Sequence, residues 1–258
     1  MKIHLRKTSL IDYPGCISSV LFFSGCNLRC PWCHNRELIV GGNNSPTSIT
    51  DSTNDSTTDG STDNINDSIA HLHKRKSVLG GVVLSGGEPC LWDSLPDIIS
   101  EIKRIPLPVK LDTNGLFPSM LEKLFNRQET RPDFIALDLK IAPERYGELC
   151  KDKEIERADK IAAQAAQKLI QSADLIRRSG IPHEYRSLAL PGAFVSERDI
   201  EALAPLADEA PWYFRLFKGG NCLDPAWNSM EEPLREASAR AEALAKKARY
   251  LGKNGIAK

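Results

Sequence analysis

Six short apolar runs recur along the chain: Ile17 to Phe23, Gly81 to Ser85, Val109 to Thr113, Phe134 to Lys140, Glu184 to Leu190 and Trp212 to Phe217. They are rich in Val, Ile, Leu and Phe instead of alternating strictly with polar residues, which is the pattern of parallel strands covered on both faces. Helical patterns lie between them, at Leu95 to Lys103, Ser119 to Arg127 and Ile155 to Ser179. In the last of these, Ile155, Ala158, Ala162, Ala165 and Leu169 keep a three-four spacing until Gly180-Ile181-Pro182 ends the helix. Ser196, with Asp199 three residues on, predicts another helix start. A final helix over about 231–252 puts Leu234, Ala237, Ala241, Leu244, Ala248 and Leu251 on one stripe. That stripe is expected to lie against the domain, with a dimer seam as the alternative. Strands alternating with helices predict an α/β chain with a parallel sheet. No eight-stranded closure is visible, so the expected fold is an open (β/α)6 partial TIM barrel with parallel strands, plus a C-terminal helix. Residues 1–258 read as a single domain of this kind.

One stretch breaks the pattern. Between Asn43 and Asp67, 21 of 25 residues are Ser, Thr, Asn or Asp, and only Ile49 and Ile65 are aliphatic. Such a segment buries too little surface to offset its ordering entropy, so a disordered polar insertion is expected at 43–67. Its spaced residues Asp59, Asp63 and Asp67 lack the terminal Glu of a calcium loop.

Charge changes the picture little. Lys plus Arg and Asp plus Glu are both 34, so no basic surplus argues for nucleic acid or an acidic membrane. No apolar run approaches a membrane span, and no signal core follows the charged start, so a cytoplasmic protein is expected. Seven cysteines, an odd number, suit a reducing compartment better than a disulfide framework.

Chemistry collects at the C-terminal ends of the predicted strands. The first leads into Gly25-Cys26-Asn27-Leu28-Arg29-Cys30-Pro31-Trp32-Cys33-His34-Asn35, a CxxxCxxC loop. The second ends in Ser85-Gly86-Gly87-Glu88-Pro89, and the third in Asp112-Thr113-Asn114-Gly115. The fourth ends in Asp138-Leu139-Lys140, the fifth carries Arg186, and the sixth leads to Lys218-Gly219-Gly220-Asn221. Active sites of barrel-like α/β folds form at this face. Three close thiolates suit an iron–sulfur cluster with one iron left open, since a closed cubane takes four cysteines. Taken alone, the spacing also admits a Cys₃His zinc site with His34. Asp112-Thr113-Asn114-Gly115 is equally a good turn, and Asp138 and Lys140, two apart on a strand, are equally an ion pair.

CxxxCxΦC with aromatic Trp32, followed by Gly-Gly-Glu at the next strand end, resembles the radical S-adenosylmethionine (SAM) superfamily. Asp12-Tyr13-Pro14-Gly15, Cys33-His34-Asn35, Asp112-Thr113-Asn114-Gly115 and Asp138-Leu139-Lys140 narrow the resemblance to glycyl-radical-enzyme activases. Among these the pattern is most similar to the longer form of the anaerobic ribonucleoside-triphosphate reductase activating proteins. The resemblance implies a [4Fe–4S] cluster on Cys26, Cys30 and Cys33, its fourth iron chelating SAM. It also implies that Gly86 and Gly87 let backbone approach the cofactor, that Glu88 pairs with its ammonium group and that Trp32 faces its adenine. Asn35, Asn114, Asp138, Lys140 and Arg186 are its further cofactor contacts. Asp112, Thr113 and Asp138 are implied ligands of a monovalent cation, and Asp12 a neighbour of the partner's glycine loop.

The activity so implied begins with a flavodoxin or ferredoxin that reduces the cluster. Reductive cleavage of SAM then gives a 5′-deoxyadenosyl radical, which abstracts hydrogen from a glycine Cα of the partner, an anaerobic ribonucleotide reductase. A radical SAM enzyme acting on a small molecule, resembling 7-carboxy-7-deazaguanine synthase, is the alternative. A zinc-binding adaptor is a third.

Overall fold

The computed structural model describes residues 2–40, 64–150, 158–230 and 232–258. Its backbone clusters into two compact units, a division of which the sequence pattern gives no sign. The first comprises Met1–Cys26, Asn35–Asp112 and Lys123–Phe134, and the second Asn27–His34, Thr113–Glu122 and Ile135–Lys258.

In the first unit, β1 (Ile3–Ser9) runs antiparallel to β2 (Ser18–Phe23), with Ile3 opposite Phe23. β2 pairs in parallel with β3 (Gly81–Gly86), and β3 with β4 (Val109–Thr113). Val82, Val83 and Leu84 are all fully buried, as a strand covered on both faces requires. Short α1 (Arg36–Val40) follows the cysteine loop, and α3 (Leu95–Arg104) buries Leu95, Ile98, Ile99 and Ile102. α2 (Ile65–Arg75) starts inside the span expected to be disordered. Asn64 caps it by accepting from the Asn66 N–H, and Asp67 lies in its first turn. The expectation therefore fails over 64–67, where local capping chemistry starts a helix; positions 43–63 lie outside the described residues.

α4 (Pro118–Phe125) follows β4. The second unit then stacks β5 (Phe134–Asp138), β6 (His183–Ala189), β7 (Pro211–Leu216) and β8 (Asn254–Ala257), all in parallel register. α5 (Ala158–Ser179) buries Ala165, Leu169, Ser172, Ala173 and Ile176; the expected start at Ile155 lies outside the described residues. α6 (Glu197–Leu203) opens with the reciprocal Ser196/Asp199 capping box. α7 (Leu234–Tyr250) lies along β6, β7 and β8 and buries Ala237, Ala241, Leu244, Ala245 and Ala248. Leu234, assigned to that stripe from spacing, is 72% exposed. The helix sits so close that a Cβ on Gly255 would lie 2.4 Å from the Ala245 carbonyl oxygen.

The α/β class with parallel strands is thus as expected, and two strands flank the six legible ones. β1 mixes His4, Arg6 and Lys7 among its apolar positions, and β8 is only four residues long. No described helix is long and apolar enough to cross a membrane.

Candidate functional site

The cysteine loop follows β2. None of the seven cysteines is in a disulfide; Cys30 is buried, while Cys26 and Cys33 are half-buried. In the second unit the segment Asn27–His34 is fastened on two sides. On one, Leu28 bridges Cys150, and the Arg29 N–H donates to the Leu149 carbonyl at 2.6 Å. On the other, the stretch after β7 acts as a strap. The Leu223 N–H donates to the Cys33 carbonyl and the Asp224 N–H to the Pro31 carbonyl, both at 2.9 Å. His34 Nε2 meets the Lys218 carbonyl at 2.7 Å, so that nitrogen carries the proton. Gly220 and Asn221, both with positive φ, shape the strap.

Trp32 is only 5% exposed. Its ring centroid lies 5.2 Å from that of Phe194 and 5.4 Å from that of Trp227, so protein covers the ring expected to face adenine. Its evident work is to seat the loop on an aromatic cluster that Phe217 completes.

Asp138, Lys140 and Arg186 form one charged network. Arg186 Nε donates to Asp138 Oδ1 at 2.8 Å, and Lys140 Nζ to Oδ2 at 3.0 Å. Burial pushes the Asp138 carboxyl up, but the charges of Arg186 and Lys140 outweigh it and hold the group well below the usual carboxylate range. Burial likewise disfavours the Lys140 ammonium. The charges of Asp138 and then Cys30 reverse that, so Lys140 stays cationic in the field of a motif cysteine. Asn114 Nδ2 donates to Asn27 Oδ1 at 2.9 Å, tying the β4 turn to the cysteine loop, and its Oδ1 accepts from the Leu116 N–H. Thr113 Oγ1 accepts from the Gly115 N–H at 3.2 Å, so the turn reading of this stretch holds locally.

The first unit carries the Gly-Gly-Glu segment. Asn35 Nδ2 donates to the Gly86 carbonyl at 2.7 Å. Gly87 N–H donates to the Phe23 carbonyl at 2.8 Å and Glu88 N–H to the Gly25 carbonyl at 2.9 Å. A Cβ on Gly86 would fall 2.5 Å from the Phe23 nitrogen, and one on Gly87 1.9 Å from the Gly25 oxygen. These glycines therefore admit the neighbouring strand end, a use that the expectation of ligand approach leaves out. Glu88 is buried, and its Oε1 accepts from the Cys90 N–H at 3.0 Å, capping the 3-10 turn Pro89–Leu91.

Asp112 Oδ1 meets Lys110 Nζ at 2.5 Å, and its Oδ2 accepts from Ser85 Oγ at 2.9 Å. Lys110, buried in β4, was not singled out from sequence because it reads there as one polar residue in an apolar run. Asp12 stands elsewhere. It accepts from Ser9 Oγ at 2.6 Å and pairs with Arg6 at 3.5 Å, before the start of β2. Six strand residues, about 20 Å at about 3.3 Å each, separate that end from the cysteine end. The structure places Asp12 as the organiser of a turn, away from the cysteine end of its own unit.

Among the described residues, no three His, Cys, Asp or Glu side chains converge on one metal-ion position. A tetrahedral zinc site needs that convergence. Cluster ligands do not, because each thiolate takes a different iron. One buried and two half-buried cysteine side chains outside any disulfide, one in the field of a cationic lysine, are donors of the type that iron–sulfur clusters use.

The model of the radical SAM superfamily matches residues 20–204. The chain belongs to the radical SAM superfamily. Radical SAM proteins use a [4Fe–4S] cluster and SAM, and the three cysteine thiols just described are donors suited to that cluster. Among relatives, the chain is 28% identical over 241 residues to a Methanocaldococcus jannaschii protein named as a glycyl-radical enzyme activating enzyme; this covers 93% of the chain and 89% of the relative. It is 30% identical over 141 residues to the pyruvate formate-lyase 1-activating enzyme of Escherichia coli K12, covering 54% of the chain but only about half, 52%, of that enzyme. A radical SAM methyltransferase from Sphaerobacter thermophilus shares the fold with a TM-score of 0.61 at 16% identity, over 95% of this chain and 67% of that one.

Proposed function

We propose that this chain is a radical SAM activase whose substrate is a glycine Cα of a glycyl radical enzyme, with anaerobic ribonucleoside-triphosphate reductase as the partner. The observation that carries the activase part of this reading is the similarity to a relative named as a glycyl-radical enzyme activating enzyme along nearly the whole length of both chains; the choice of reductase rests on the sequence resemblance alone. A flavodoxin or ferredoxin in the cytoplasm is the electron source in this reading.

Cys26, Cys30 and Cys33 hold the cluster. When bound, the cluster and SAM supply a one-electron route to hydrogen abstraction from carbon. The chain's own residues bind and orient. Lys140 and Arg186, kept cationic by Asp138, hold the carboxylate of the cofactor's methionine moiety, and Glu88 its ammonium group. Asn35 and Asn114 fix the backbone around them, through Gly86 and Asn27. Trp32 and the Lys218–Asp224 strap hold the cysteine loop in one shape and keep water from its apolar side. No side-chain acid or base is needed, because the abstraction moves a hydrogen atom and not a proton.

The test is anaerobic electron paramagnetic resonance on reconstituted, reduced protein mixed with SAM and the anaerobic ribonucleotide reductase, with 5′-deoxyadenosine counted in the same tube. A glycyl doublet equal to the deoxyadenosine formed is expected. Deoxyadenosine without the doublet would refute the partner and turn attention to a small-molecule substrate.

A further inference from the structure

The strap brings a fourth cysteine to the cysteine loop, within the second unit. Cys222 is fully buried; its N–H donates to Asn228 Oδ1 at 2.7 Å, and its Sγ meets the Gly220 carbonyl at 3.3 Å. The next residue, Leu223, donates its N–H to the Cys33 carbonyl at 2.9 Å, and Asp224 donates to Pro31 at the same length. The strap therefore runs back along the loop, with Cys222 beside Cys33. Covalent geometry puts the Cys33 Cα about 2.4 Å from its own carbonyl oxygen, and the Cys222 Cα about 2.4 Å from the Leu223 nitrogen. Joined by that hydrogen bond with its ordinary bends, the two Cα atoms stand about 5–7 Å apart. Disulfides span about 4.4–6.8 Å between Cα atoms. The side chains are also near each other, because burial first, and then the charges of Cys33 and Asp224, push the Cys222 thiol up. Cys30 lies instead in the field of Lys140 and Tyr146, so the two loop thiols face different neighbours.

We infer that Cys222 is the redox partner of Cys33: in protein that has not received its cluster, oxidation joins the two in a disulfide that locks the strap to the loop and blocks loading until a thiol reductant reopens it. The oxidant is a low-molecular-weight disulfide of the glutathione type. The thiolate of half-buried Cys33 attacks one of its sulfurs, forming a mixed disulfide and releasing one glutathione. The Cys222 thiolate then attacks the Cys33 sulfur, and the second glutathione leaves. Two electrons pass from the cysteines to the oxidant, and the two cysteine protons end on the two glutathiones. Once Cys33 holds iron its sulfur is no longer open to the first attack, so loaded protein is exempt. The inference rests on the assignment of Cys33 as a cluster ligand.

The experiment uses the full-length protein, cluster-free and fully reduced under anaerobic conditions, then treated with oxidised glutathione. It is alkylated, digested without reductant and mapped by mass spectrometry. A peptide pair joined through Cys33 and Cys222 should be the main cross-link, and it should be absent when the cluster is reconstituted before oxidation. Iron and sulfide uptake by the oxidised protein should fall at least tenfold and return after dithiothreitol. In Cys222→Ser the attacked Cys33 has no partner thiol on the strap and should carry trapped glutathione. Cys222→Ala carries the same expectation if the serine variant does not fold. Linkage of Cys33 mainly to Cys30 or Cys26 in the unaltered protein, or glutathione held stably on its Cys33, would overturn the inference while leaving the cluster assignment intact. Reduced protein that takes up no iron and sulfide would bring down that assignment, and the inference with it, whatever cross-link forms.

Discussion

Replacing Gly87 by Ala should break the junction between the ends of β2 and β3. The new Cβ would lie 1.9 Å from the Gly25 oxygen, where real contacts stay above 3.0 Å, so backbone must yield by 3.0 − 1.9 = 1.1 Å. Gly25 is not free to yield. Its N–H is bonded to the Leu38 carbonyl at 2.8 Å, and its oxygen receives the Glu88 N–H at 2.9 Å. Adding 1.1 Å to the latter gives 4.0 Å, which is no longer a hydrogen bond. Losing one or two such bonds at about 1 kcal/mol each, with overpacking strain of about 1–3 kcal/mol, puts the loss at about 2–5 kcal/mol. Gly180→Ala is the control. It has positive φ but open space around it, so only left-handed strain of about 1–2 kcal/mol applies. Anaerobic urea denaturation of the cluster-free proteins, followed by circular dichroism, measures both losses. Because Cys26 is the next residue after Gly25, iron bound per chain after reconstitution should fall as well. Gly87→Ala within about 0.5 kcal/mol of the unaltered protein, or no worse than Gly180→Ala, would refute the reasoning.

Three further outcomes follow from the same geometry. Cys30→Ala should abolish iron and sulfide incorporation together with deoxyadenosine formation, and full activity in that variant would sink the cluster assignment. Asp138→Asn strands Arg186 and Lys140 beside a neutral partner. It should cost about 2–3 kcal/mol, less than a fully buried pair because Asp138 is 29% exposed. Its carboxyl pKa is depressed by folding, so its contribution is complete at neutral pH and fades as the pH falls below about 4. The variant should therefore lose less stability over that acid range than the unaltered protein, as pH-resolved melting would read. Asp199→Ala removes the acceptor of the Ala142 N–H at 2.9 Å, of Arg145 Nη1 at 2.8 Å and of the Ser196 cap; a loss of about 3 kcal/mol in chemical denaturation is expected.

The parallel strands could be read from sequence because burial on both faces forces unbroken apolar runs such as Val82-Val83-Leu84. The cysteine loop, Gly-Gly-Glu and Asp-Thr-Asn-Gly were legible as spacing and strand-end position. What escaped was what long-range pairing decides. β1 became a strand by pairing with β2, and this antiparallel turn carried Asp12 to the end of β2 away from Cys26. β8 exists because Gly255 lets α7 lie close. The strap works through backbone N–H groups of Leu223 and Asp224, which every non-proline residue owns, so no side chain marks it. Lys110 was hidden by its neighbours Val109 and Leu111. Trp32 was recognised as important, yet the aromatic partners that enclose it lie more than 150 residues away in sequence.

The strap also has a consequence in time. Leu223 and Cys33 are 190 residues apart (223 − 33), and His34 is 184 from Lys218. At a synthesis rate of about 5–20 residues per second, the cysteine loop leaves the ribosome about 10–40 s before the segment that fastens it. During that interval its thiols are presented on an unfastened chain, open to cluster delivery and to oxidation alike. Once β7 and the strap fold down, the same loop is fastened, with Cys30 buried and Cys26 and Cys33 half-buried. Cluster loading should therefore be faster on the nascent chain than on the folded protein, whose loop the strap holds in place.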